Sequence, residues 1–118
     1  EVKMNVRPLL LMAFWVIVGP LNRQQATIAV DPCRLQGAVF VEEVESFATY
    51  RVFVEDVENF ADLRVYKEPV RGFADKAGRW HFTDTKSFAD FSVAFVDVKV
   101  RADFSIYYTE FQSLSGCR

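Results

Sequence analysis

Phe88-Ala89-Asp90-Phe91-Ser92-Val93-Ala94-Phe95 and Arg101-Ala102-Asp103-Phe104-Ser105-Ile106-Tyr107-Tyr108 are one pattern written twice, thirteen residues apart. The unit stands earlier as Phe47-Ala48-Thr49-Tyr50, Phe60-Ala61-Asp62-Leu63 and Phe73-Ala74-Asp75-Lys76, again at intervals of thirteen. A fixed period means one structural unit built several times. After each Ala, apolar residues recur at every second position: Tyr50, Val52 and Val54; Leu63 and Val65; Phe91, Val93 and Phe95; Phe104, Ile106 and Tyr108. That period predicts a strand with one buried face, because a helix would set alternate residues about 200° apart. The Val, Ile, Phe and Tyr content agrees with strand.

Short polar stretches such as Glu55-Asp56-Val57-Glu58-Asn59 and Asp84-Thr85-Lys86-Ser87 join the strands. Their Asp, Asn, Ser and Thr side chains bond neighbouring amides and so fix turns. The Phe that closes each connection (Phe47, Phe60, Phe73, Phe88) is expected to fold back over the core. Ala48, Ala61, Ala89 and Ala102 are expected at tight positions where each strand enters it, with Trp80 as the large core residue. Each unit is then a strand of about seven residues, roughly 23 Å long, plus one connection. The spacing slips by two residues between Phe73 and Phe88, best placed at Ala77-Gly78. A Gly there predicts a bulge or a bend with positive φ. Pro69 sits in the preceding connection, where its missing N–H does no harm. A degenerate first unit is expected to begin near Thr27. The predicted fold class is all-β, a single small domain of tandem strand-turn repeats.

The first stretch reads differently. Met4-Asn5-Val6-Arg7 is a short basic start, Leu9 to Val18 is wholly apolar, and Gly19-Pro20 ends the run. Such a run suits a signal-peptide h-region and falls short of the ~20 residues needed to span a bilayer. The domain reading is therefore a signal peptide over 1–26, with residues 1–3 upstream of the true start, and a repeat β domain over 27–118. An uncleaved anchor and a buried hydrophobic element are the alternatives. Three of the 14 basic residues (Lys3, Arg7, Arg23) and one of the 16 acidic residues (Glu1) leave with the signal, so the net charge of −2 becomes −4. An acidic domain without a basic patch argues against nucleic acid as a partner. No stable membrane insertion is expected once the signal is removed.

Cys33 and Cys117 flank the repeats. In an exported chain the default is a disulfide, two free thiols being the alternative. Neither Cys has a Cys or His at metal-ligand spacing, so zinc is not expected, and nothing points to a cofactor.

Taken together, Phe-Ala-Asp units spaced by thirteen, the alternating strands, and Gly78-Arg79-Trp80-His81-Phe82-Thr83-Asp84 before Phe88-Ala89-Asp90 resemble the septoil-knot family. Those are small domains named for a backbone tied in the seven-crossing torus knot. The likeness runs from about Ile28 to Tyr108. Val100-Arg101 stands where Ser-Phe would be expected, and the final Leu114-Ser115-Gly116 lacks Ala-Asp. The resemblance implies a knotted torus-type winding and no established activity. The residues alone favour an unknotted meander, sandwich or small barrel, since knots are nearly absent from proteins.

Three candidate chemistries follow. His81, the one histidine, stands three residues before Asp84, and such a pair can do acid–base work, yet no nucleophile motif accompanies it. The bland reading is a structural or surface His. Asp62, Asp75, Asp90 and Asp103 recur once per unit, beside a second series of Glu43, Asp56, Asp84, Asp97 and Glu110. Stacked carboxylates can bind calcium; the bland reading has one series fixing turns and the other solvated opposite Arg51, Arg64 and Arg79. Phe53, Tyr66 and Tyr107, with Trp80 nearby, line either a binding surface or the core. The functional expectation is an exported, non-enzymatic structural or binding domain. A calcium-binding repeat module and a small secreted hydrolase using His81 and Asp84 are the alternatives.

Overall fold

Short 3₁₀ turns and strands alternate without interruption across residues 30–118, which the computed structural model describes. The expected signal segment over 1–26, its cleavage site and the Thr27 start of the first unit lie outside the described residues. The strands are β1 (Gly37–Val41), β2 (Tyr50–Val54), β3 (Leu63–Lys67), β4 (Arg79–Phe82), β5 (Phe91–Phe95) and β6 (Phe104–Tyr108). They are five residues long, four in β4, against the seven expected. The missing residues belong to the turns. In each unit the Phe amide donates to the carbonyl of the residue three before it, as in Phe47 N–H to Val44 O at 3.0 Å. The following Ala repeats the bond, as in Ala61 N–H to Glu58 O at 3.1 Å.

All six strands run parallel and close a barrel in the order β1-β4-β3-β6-β2-β5. Four of the six pairs are staggered by two residues: Val39 faces Phe91, Val93 faces Tyr50, Val52 faces Phe104, and Ile106 faces Leu63, while the two pairs of β4 differ, Gly37 facing Trp80 and Tyr66 facing Arg79. Parallel strands need a connection that returns along the outside of the wall. Here a short segment with a single 3₁₀ turn suffices, such as residues 42–49 between β1 and β2, because the strands it must pass are so short. The barrel is therefore wrapped in a second layer made of its own connections.

The inward series forms the core. Val39, Val52, Leu63, Val65, Trp80, Val93, Phe104 and Ile106 are one buried cluster. Trp80 is fully buried at its centre, edge-on to Phe91 at 5.3 Å, Phe104 at 6.4 Å and Phe82 at 6.2 Å between ring centroids. Its indole N–H donates to Leu35 O at 3.2 Å, which satisfies the one polar group of that side chain.

The turn Phe residues do not fold back over the core as expected. Phe47, Phe60, Phe73 and Phe88 are 64%, 62%, 59% and 62% exposed. They lie in the outer layer, and a turn that crosses outside the wall presents its third residue to solvent. Ala48, Ala61, Ala89 and Ala102 are half-buried and stand outside the core cluster. They end the turns, two residues before the first strand residue, where the chain is still entering from the outer layer. The Arg101 and Leu114 departures leave the turn unchanged: Lys99–Arg101 and Gln112–Leu114 form it like the others.

The slip at Ala77-Gly78 is a real insertion. Gly78 has φ +81°, and a Cβ there would come within 2.3 Å of Gly116 N and 2.4 Å of Arg64 O. At this place both ends of the domain enter the wall. Gly116 N–H donates to Arg64 O at 2.8 Å, Arg64 N–H donates to Gly116 O at 3.1 Å, and Gly78 N–H donates to Leu35 O at 3.0 Å. Between β3 and β4 the ladder is correspondingly short, Tyr66 facing Arg79 and Lys67 facing Trp80. The chain ends thus make a seventh place in a ring of six strands.

Candidate functional site

The outward positions of the strands are not a free surface. Ala38, Ser92, Ala94 and Ser105 point away from the core yet are buried. Connections cross directly above them, and only small side chains leave room for a second layer of backbone. Phe53, Tyr66 and Tyr107 are half-buried for the same reason, between the two alternatives of core and binding surface, and Trp80 belongs wholly to the core.

Most of the Asp series closes that layer onto the strands. Asp90 N–H donates to Ala38 O while Asp90 Oδ2 accepts from Ala38 N–H, both at 2.8 Å. Asp103 and Arg51 repeat this at 2.7 Å in both bonds, and Asp62 and Ser105 at 3.0 and 2.9 Å. Thr49 does it with its hydroxyl, accepting from Ser92 N–H at 3.1 Å. Each carboxylate or hydroxyl takes the place of the next ladder carbonyl, at a strand start where the chain has already turned away. Asp75 differs: it pairs with Arg79 at 3.7 Å beside the insertion.

A third acidic series was missed in the sequence although it keeps the same period. Glu42, Glu55 and Glu68 follow β1, β2 and β3 at intervals of thirteen, and Lys86, Lys99 and Gln112 open three later turns at the same interval. Lys86 Nζ pairs with Glu42 at 2.5 Å, Lys99 pairs with Glu55, and Gln112 Nε2 bonds Glu68. Lys86 and Lys99 also donate to the carbonyls of Phe47 and Phe60, at 3.3 and 3.0 Å. These contacts tie each turn to its neighbour around the girdle. The second acidic series, Glu43, Asp56, Asp84, Asp97 and Glu110, is exposed. Arg51, Arg64 and Arg79 pair instead with Asp103, Glu58 and Asp75.

The turns that these contacts hold carry the most distinctive exposed chemistry among the described residues. A 3₁₀ turn sets residues three apart side by side, so Val44 stands with Phe47, Val57 with Phe60, Val70 with Phe73, and Phe111 with Leu114. All eight are exposed. In the order the strands impose, the girdle reads Phe88, Phe47, Arg101, Phe60, Leu114, Phe73. Arg101 interrupts it, paired with Glu45 and, at 3.8 Å, with Asp97, and the first turn, Pro32–Arg34, also ends in an arginine, paired with Asp31 at 3.4 Å. Lys86 Nζ lies 5.8 Å from the Phe47 ring centre.

The other candidates are less organised. His81 is half-buried with Nδ1 2.9 Å from Glu68 O, a bond that ties the imidazole to the backbone. Asp84 is exposed on the following connection, and among the described residues no hydrogen bond or ion pair joins the two. Tyr108 lies under Lys67, whose Nζ is 4.2 Å from the ring centre, and burial pushes its hydroxyl up to about 12. Cys33 and Cys117 are joined by a disulfide with Cα atoms 5.5 Å apart, beside a recess of about 320 Å³ lined by Glu58, Asp62, Arg64 and Arg118.

Residues 32–118, which carry all of these units, match a family model described as the 7(1) septoil knot domain. The chain belongs to the septoil knot family. The match takes in every strand and turn described above, and with them the expected all-β repeat fold. The matched stretch of the septoil knot domain takes in both Cys33 and Cys117. No curated protein and no solved structure matches the chain.

Proposed function

We propose that this chain is an exported, non-enzymatic binding domain, and that the girdle of exposed turns is the surface it binds with. One observation carries the reading: apolar side chains are held outward on turns that hydrogen bonds and ion pairs fix in place. Monomeric proteins seldom expose contiguous apolar surface without a use for it. A rigid aromatic also loses little conformational entropy on binding. The disulfide fits an oxidising compartment, which supports export. For the carboxylates, Asp62, Asp90 and Asp103 already accept from backbone amides of separate strands, which favours a structural role over a calcium site.

The test is capture from the native envelope or medium with the wild-type domain and with F47S/F60S/F73S/F88S. A partner held by the wild type and lost by the variant, at unchanged melting temperature, is the expected result. Equal capture by both would reject the girdle as the binding surface.

A further inference from the structure

We propose that the Cys33–Cys117 disulfide latches the knot, so that the chain can be unfolded without being untied while the bond is intact, and unties once it is reduced. The seventh place fixes the geometry. Counted around the ring as β1, β4, the joined chain ends, β3, β6, β2 and β5, every connection moves the chain two places in the same direction. β1 leads to β2 across β5, β2 to β3 across β6, β3 to β4 across the chain ends, β4 to β5 across β1, and β5 to β6 across β2. The tail after β6 crosses β3 to Gly116, and the segment after Cys33 crosses β4 to β1. Seven steps of two places carry the chain twice around the axis. A closed curve that does this while passing seven times between an inner and an outer layer is the seven-crossing torus knot.

The curve is closed by a covalent bond at that same place. Cys33 and Cys117 lie 84 residues apart in sequence and are the two cysteines of the chain, so no other internal pairing exists. A closed ring keeps its knot however far it unfolds, whereas an open chain loses it by withdrawing an end. On the C-terminal side the crossing is made by residues 109–118, held by the Gly116–Arg64 pair of bonds and by Arg118 on Asn59. Cys33 is exposed, and a thiolate can reach the bond. A dithiol reductant supplies two electrons and two protons, leaves two thiols, and becomes a cyclic disulfide itself.

Two rings of identical composition test this. One is the native oxidised protein unfolded directly in guanidinium. The other is reduced, held unfolded in guanidinium, and reoxidised there at low concentration, which closes the same bond on an untied chain. In denaturant the native-derived ring should have the smaller hydrodynamic radius. On dilution it should regain the native near-ultraviolet circular dichroism, and the reoxidised ring should not. Any other pattern, including equal radii and equal recovery, overturns the proposal. Neither arm requires the reduced protein to be stable.

Discussion

At Asp103 one side chain replaces a rung of the sheet. Its Oδ2 accepts from Arg51 N–H at 2.7 Å and its Oδ1 lies 3.3 Å from the Arg51 guanidinium. Removing the carboxylate leaves a strand-start amide without that acceptor, a loss of about 1–2 kcal/mol. Asp103→Ala should therefore lower the denaturant midpoint clearly more than Asp97→Ala, whose side chain is 92% exposed. Asp103→Asn keeps an acceptor oxygen and should fall between them. The regular Asp was plain in the sequence, but its partner lies 52 residues away, and no local pattern says which strand will be the neighbour. Tyr108 gives a second test at this scale. Its folded pKa of about 12 lies above the ordinary 10.0 because burial disfavours the phenolate. The neutral phenol's contribution is thus complete below pH 10 and is lost as pH rises through 12. Stability followed by chemical denaturation should decline more steeply over that interval in the wild type than in Tyr108→Phe.

The strand and its connection are the elements that matter, and they were legible to different degrees. The inward phase could be read because alternation has a period of two, and Val52, Leu63, Val65, Val93, Phe104 and Ile106 are buried as it requires. The outward phase could not, because Ser92 and Ser105 look like solvated residues when they are spacers beneath a crossing chain. The same crossing exposes the turn Phe residues, which composition alone assigns to the core. Two substitutions in adjoining elements separate these roles. Ser105→Leu adds bulk beneath residues 55–62, where Ser105 is fully buried, and overpacking of this kind costs about 1–3 kcal/mol. Phe60→Ser, on the connection that crosses it, removes a large apolar side chain that is 62% exposed and should cost much less. Thermal melts of the pair decide it; a more damaging Phe60→Ser would place that ring in the core after all.

For the molecule as a whole, the thirteen-residue period specifies a unit but not the order in which units meet. Neighbours in the barrel are never consecutive in sequence except β3 and β4, the pair with the shortest ladder. Contacts of this kind must wait for the closure of long loops, so the entropy of the open chain weighs heavily against the fold. The Cys33–Cys117 bond acts on that term. It closes a loop of 84 residues, for which the chain-entropy estimate is roughly 4.6 kcal/mol. A domain of this size has a total stability on the order of 5–15 kcal/mol, so the bond is a large share of it. Cys33→Ser/Cys117→Ser should accordingly lower the unfolding free energy by a few kcal/mol, read from denaturant titrations of both proteins at equilibrium. The slope of those titrations should also rise, since a chain without the cross-link exposes more surface when it unfolds. A variant with unchanged midpoint and slope would mean that the windings alone hold the two ends in place, and that the seventh position in the ring needs no covalent closure to persist.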